Sequence, residues 1–343
     1  MLKLPIPSSI LKEEYANRFL PALVKRVKDG YNTTNNGNRE CYELSSEAKE
    51  VLLPNWNSDT PDTSKLKELL INEPIALKEL NDNIQTDFDS ITDQDKRPNP
   101  ELLLKIFGYS LTFNNSSKAD AYWLAKKIGR NTCTYCNRLY AFTVEVDGGT
   151  NARSRIVRPE FDHWYDKSNY PLMSLSLFNL IPSCPICNSS LKNTIRFDLS
   201  THIHPYIHLS GHPDLTFRVT AKTTETLQWA VEIDTPLGSK EERTVKDLKL
   251  KEIYSMHGNL EIKDLMNFCN SYPPGYLKQL FENVLKDSKG KLNQYDVYRM
   301  LFGSELDPSK FLDRPLSKMK YDILHDTVSY THLRAHETSA HLV

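Results

Sequence analysis

The sequence predicts an α+β fold: a helical N-terminal region over residues 1–130, a small metal-stapled module over 131–199, and a C-terminal α/β region over 200–327. Three observations carry this. Apolar residues recur at helical spacing up to about Arg130, the pattern turns to alternation just after Cys136, and two C-x-x-C pairs bracket the segment where the change occurs.

Taken in order, Ile10, Leu11, Tyr15, Phe19, Leu23 and Val27 sit at helical intervals after Ser8, and Gly30 supplies a stop. Leu66, Leu69, Leu70, Leu77 and Leu80 predict two shorter helices parted at Pro74, which lacks the amide donor a helix interior needs. A Ser117-x-x-Asp120 pair caps the helix AYWLAKKI, Gly129 closes it, and it runs into the first C-x-x-C. The polar runs Asn32 to Asn38 and Ser58 to Ser64 read as loops. After Cys136, RLYAFTVEVD alternates, Gly148-Gly149 offers a turn, and RSRIVRPEFDH returns as the partner strand. Tyr165 to Ser183 reads as loop, and CPICNSSLK as a short metal-nucleated helix. LTFRVTA and TLQWAVEID predict a second hairpin, with helices from Lys240 onward and helical spacing kept at Leu316, Met319, Ile323 and Leu324. The last stretch, 328–343, reads VSYTHLRAHETSAHLV and resembles the conceptual translation of a sequencing-library adapter, so His332, His336 and His341 are set aside as ligands.

A chain of 343 residues exceeds the size at which one core keeps growing, so two or three packed units are expected. With 43 Lys and Arg against 44 Asp and Glu, a charge-driven, histone-like binder is excluded; any nucleic-acid contact must come from a local patch. No run of about 18 apolar residues occurs, so no membrane contact is expected, and prolines interrupt MLKLPIPSSILKEEY where a secretion signal needs an apolar stretch. The cytoplasm is the expected compartment. Six cysteines are too few for a disulfide scaffold, and no G-x-x-x-x-G-K-[ST] loop is present.

Cys133, Cys136, Cys184 and Cys187 predict one structural Zn²⁺ held by four thiolates. The 47 residues between Cys136 and Cys184 exceed the spacing of a compact zinc ribbon, so something is inserted. Redox-active thiols would require a βαβ context that the pattern lacks. Cys41 and Cys269 stand alone and are expected to be buried core residues.

The insertion carries Asp162-His163 at a strand end, then Asn179, then Asn188 directly after the last cysteine. With CTYC, EFDHW and SLFNLIPSCPICNSSLK in this order, about Asn131 to Asp198 resembles the HNH endonucleases, the ββα-metal or His-Me-finger nucleases. Among these it looks most like bacterial anti-phage defence nucleases of the Septu type. The resemblance implies a zinc-stapled ββα-metal module that hydrolyses DNA to leave a 5′-phosphate, as a defence or restriction effector, with RNA not excluded and an ATPase as a possible partner protein. It also implies that Asn179 braces the loop and holds the imidazole.

The chemistry asks for these residue types on its own account. Water must lose a proton near neutral pH, and an imidazole with a pKa near ~6.5 suits that task, which falls to His163. Hard oxygen ligands suit Mg²⁺ or Mn²⁺, and Asp162 with the Asn188 amide oxygen fits. Successive strand residues face opposite ways, so Asp162 and His163 can share a site only where the strand ends or bends. Lys192, four residues after Asn188, is expected to reach a substrate phosphate, and Arg153 and Arg155 to straddle one. Asn188 stands where many HNH members have His, and the basic residue comes one position later than their usual C-H-x-x-K spacing. Among His202, His204, His208 and His212 structural roles are favoured over a second metal site, and Trp123, Trp164 and Trp229 read as anchors. The competing function is a non-catalytic, zinc-dependent module that binds nucleic acid or protein.

Overall fold

The computed structural model describes residues 3–35, 38–113, 119–146, 155–207, 215–223, 228–258, 260–272, 276–279 and 293–326. Ser117, Gly148, Gly149, Arg153, His208, His212 and the segment 328–343 lie outside the described residues.

Helix α1 (Ser9–Asp29) begins where the Ser8 hydroxyl accepts the Leu11 amide and ends at Gly30. It buries Tyr15, Phe19, Leu23 and Val27 against α3 (Ser64–Ile71) and α5 (Pro100–Phe107). Between them come strands β1 (Tyr31–Asn35) and β2 (Asn38–Tyr42), then α2 (Ser46–Leu52); α4 (Pro74–Asp89) follows α3, starting on Pro74. The β1–β2 hairpin corrects the expected loop at Asn32 to Asn38. Its residues are mostly polar and offer no apolar alternation, while Tyr31 and Tyr42 stack across the pair at 6.4 Å. Cys41 lies on this hairpin and is exposed, not a core residue; Cys269 is half-buried.

Gly108 caps α5 at φ 60°, a left-handed conformation that favours glycine, and turns the chain into α6 (Tyr109–Phe113). Helix α7 (Ala119–Ile128) then delivers the first cysteine pair.

The central segment departs from the expected single hairpin. Only β3 (Val144–Glu145) and β4 (Arg155–Val157) pair with each other. The next strand, β5 (Glu160–His163), pairs antiparallel with β6 (Leu180–Ser183), from Glu160 opposite Ser183 to His163 opposite Leu180. Strand β6 lies inside the stretch expected to be loop. It is buried on both sides, so its sequence LIPS shows no alternation. A seven-residue π-helix (Ile186–Lys192) follows, so the order here is strand, 16-residue excursion, strand, helix.

The C-terminal region holds the expected hairpin of β7 (Thr216–Thr223) and β8 (Gln228–Asp234) and the helices α8 (Lys240–Asp247), α9 (Leu250–Ser255), α10 (Glu261–Ser271), α11 (Tyr276–Gln279) and α12 (Gln294–Phe302). Helical residues 317–326 bury Met319, Ile323 and Leu324. The arrangement is α+β, small antiparallel pairs set among helices. No helix among the described residues is long and apolar enough to cross a membrane.

Candidate functional site

Each cysteine pair folds its own backbone onto sulfur. The Arg138 amide donates to Cys136 Sγ (3.5 Å) and the Cys187 amide to Cys184 Sγ (3.4 Å). Asn137, at φ 48°, turns the first knuckle and donates its amide to Cys133 O. The Thr134 amide bonds Pro182 O, fastening this knuckle to β6. All four sulfurs are buried and lie within 4.8 Å of one another, so the cluster could hold a metal ion such as zinc.

The C-terminal region braces the first knuckle from outside. Thr132 Oγ1 donates to Leu312 O, the Leu316 amide to Asn137 O, and the Asn137 side-chain amide reaches Phe311 O (2.8 Å) and Arg314 O (3.2 Å). The Tyr254 hydroxyl donates to Cys136 O.

Strand β5 carries the rest of the site on two faces. Glu160 and Asp162 point toward the π-helix, where Asn188 Nδ2 donates to Glu160 Oε2 (2.8 Å) and Lys192 Nζ to Asp162 Oδ1 (3.1 Å). Phe161 and His163 point toward α6, and the imidazole meets Tyr109 edge-on at 4.3 Å between centroids. His163 is the last residue of β5, and here both faces open into one cleft of about 430 Å³. Tyr109, Glu160, Asp162, His163, Asn188 and Lys192 all line it.

The imidazole is held in one tautomer. His163 Nε2 lies 3.0 Å from Ser174 O, and a carbonyl only accepts, so Nε2 carries the hydrogen and Nδ1 keeps its lone pair. Burial, with the nearby Lys167 ammonium, lowers the imidazole pKa to about 3, so the ring is neutral near pH 7. Asn179 organises the excursion that supplies Ser174. Its Oδ1 accepts the Tyr165 amide (2.7 Å), and its Nδ2 donates to Tyr165 O and Met173 O (3.0 Å each).

Asp162 is buried with both oxygens engaged, Oδ1 by Lys192 and Oδ2 by the Tyr135 hydroxyl. Burial raises its pKa, against the pull of Lys192. Lys192, expected from its spacing to reach a substrate phosphate, is instead turned inward onto Asp162. Only 2 % of it is exposed, and its ammonium donates to Asp162 and to His163 O, because a buried carboxylate needs a countercharge. Arg155 is likewise paired, with Glu145 at 3.1 Å across the β3–β4 strands. Glu160, missed at first, could have been found from its strand position, two residues before Asp162 and so on the same face. Tyr109 and Tyr135 had no such signal, since they arrive from other parts of the chain.

Two carboxylates, Glu160 and Asp162, and one amide, Asn188, line the cleft together, oxygen donors of the kind a hard divalent cation takes. Of the other histidines, His202 and His204 have structural settings. His202 stacks on Phe197 and bonds Asp247 (3.1 Å), while His204 accepts the Tyr206 amide beneath Trp164. Comparison of the chain with protein-family models, with curated proteins and with solved structures finds no match.

Proposed function

We propose that this chain is a metal-dependent endonuclease of the HNH type, cleaving phosphodiester bonds, with DNA as the expected substrate. One observation carries the reading: a neutral imidazole, fixed through Nε2–H on Ser174 O so that Nδ1 keeps its lone pair, lines a cleft that Glu160, Asp162 and Asn188 also line. The strand–excursion–strand–helix order around that cleft, backed by four cysteines, supports the zinc-stapled ββα assignment.

In this mechanism Nδ1 of His163 takes the proton of the attacking water, and the Ser174 carbonyl steadies the resulting imidazolium. Asn179 keeps that carbonyl in place. Glu160, Asp162 and Asn188 would hold a Mg²⁺ or Mn²⁺ ion, which supplies charge neutralisation at the scissile phosphate and the leaving oxygen. Lys192 and Tyr135 balance Asp162 and hold its carboxylate in place.

Plasmid nicking with Mg²⁺ or Mn²⁺ tests this. Nicking by the unaltered chain and its loss, by about a hundredfold or more, in His163→Ala is expected; equal nicking by both ends the proposal. The engagement of both Asp162 oxygens favours one second reading, a zinc-dependent binding module without turnover. Tight nucleic-acid binding with no cleavage under either ion would establish it. A partner ATPase, as the resemblance implies, would then be sought by asking whether cleavage starts when one is added.

A further inference from the structure

Two cations line the cleft and have no carboxylate partner among the described residues. Arg158 lies just ahead of β5, its guanidinium 5.6 Å from the Phe161 ring centre and bonded only to Pro159 O. Lys167 follows β5, exposed, its ammonium 5.6 Å from the centre of the Tyr109 ring, which itself touches the His163 imidazole. Of the other cations near the module, Lys192 is bound to Asp162 and Lys126 and Arg155 to Glu145, while Arg138 and Arg196 do not line the cleft. The electrostatics agree. Arg158 is the main charge acting on the Tyr109 hydroxyl, and Lys167 the main charge acting on His163. With Asp162 already compensated, Glu160 and Asp166 remain as anions of the lining, and an incoming phosphodiester must be met by positive charge in the same cleft.

We infer that Arg158 and Lys167 form a clamp for the nucleic-acid backbone, each receiving one phosphate on either side of the bond presented to His163. Tyr109 is the spacer between clamp and imidazole. The inference rests on the nuclease reading for its substrate class, and it moves backbone binding from Arg155 and Lys192, which are held in ion pairs, to a different pair. Neither residue reads base identity, so the clamp is indifferent to sequence.

The experiment is fluorescence anisotropy of the full chain with a labelled DNA duplex across a salt series, without added divalent ion. The unaltered chain is compared with Arg158→Gln, Lys167→Gln, the double variant, and Lys251→Gln as an exposed lysine away from the cleft. Each single change is expected to flatten the slope of log K against log salt by about 0.9, the double by about twice that, and Lys251→Gln not at all. Unchanged slopes in all variants, or no binding by the parent at low salt, overturn the clamp. Nicking assays run in parallel separate the two claims. Flattened slopes with no cleavage by the parent keep the clamp and end the hydrolysis reading. Cleavage by the parent with unchanged slopes does the reverse.

Discussion

Replacing Asn179 is the sharpest perturbation the site allows. Its side chain closes three buried hydrogen bonds within the excursion between β5 and β6. In Asn179→Ala the Tyr165 amide is left with no acceptor, and a buried unpaired donor costs about 1–3 kcal/mol. The two carbonyls lose less, because Met173 O also accepts the Ser176 amide and keeps a partner. The sum comes to about 3 kcal/mol, about a hundredfold in the folding equilibrium. Asn179→Asp keeps the acceptor for Tyr165 but sets a carboxylate against both carbonyls, so it should be no milder. Urea denaturation followed by tryptophan fluorescence gives the stability change. NMR of the imidazole gives the local one: once water enters the loosened excursion, relief of burial lifts the His163 pKa from about 3 toward the free value, outweighing the loss of the Ser174 carbonyl, which favours the charged ring. A stability loss under about 0.5 kcal/mol in both variants, with the imidazole still neutral at pH 5, would refute the bracing argument.

Other outcomes follow from the same geometry. His163 and His204 both have folded-state pKa values lowered to about 3, so the stability they permit is full above the unfolded value near 6.5 and is lost as pH falls from there toward 3. Their joint contribution should approach about 2.7 kcal/mol per pH unit within that window, and His204→Asn should halve it in urea melts between pH 7 and 4. Lys192→Met should cost about 3–5 kcal/mol by stranding the Asp162 charge, and adding Asp162→Asn should restore most of it; a double-mutant cycle with additive losses would count against the pair. The purified chain should contain one equivalent of zinc by elemental analysis, and Cys184→Ser should become protease-sensitive. A metal-free chain whose melting ignores chelators would remove the four-thiolate account.

Much of the helical frame was legible because its signals are local. Ser8 and Gly30 bound α1, Pro74 starts α4, and the apolar stripe Tyr15, Phe19, Leu23, Val27 faces the core. The cysteine cluster was legible because two C-x-x-C pairs leave few alternatives. Where sequence reasoning failed, the deciding contacts were non-local or lacked a period. The polar β1–β2 hairpin offers no alternation, and LIPS, buried on both faces, looks like any short apolar run. Asp162 and Lys192 were each placed in the cleft region, yet their attachment to each other depends on how the π-helix lies along β5, which no residue spacing encodes. Tyr109 reaches His163 from 54 positions earlier, through a turn at Gly108 that only the folded chain makes meaningful.

The bonds that hold the first cysteine knuckle run to residues 311–316, as far as 180 positions along the chain. During synthesis Cys133 and Cys136 emerge long before Cys184 and Cys187, and the bracing strap comes later still. A nascent chain thus passes through a long interval with half a metal site and an unsupported loop. Closing so wide a span is slow on entropic grounds. The first knuckle therefore gains its full bracing only after residue 316 has left the ribosome.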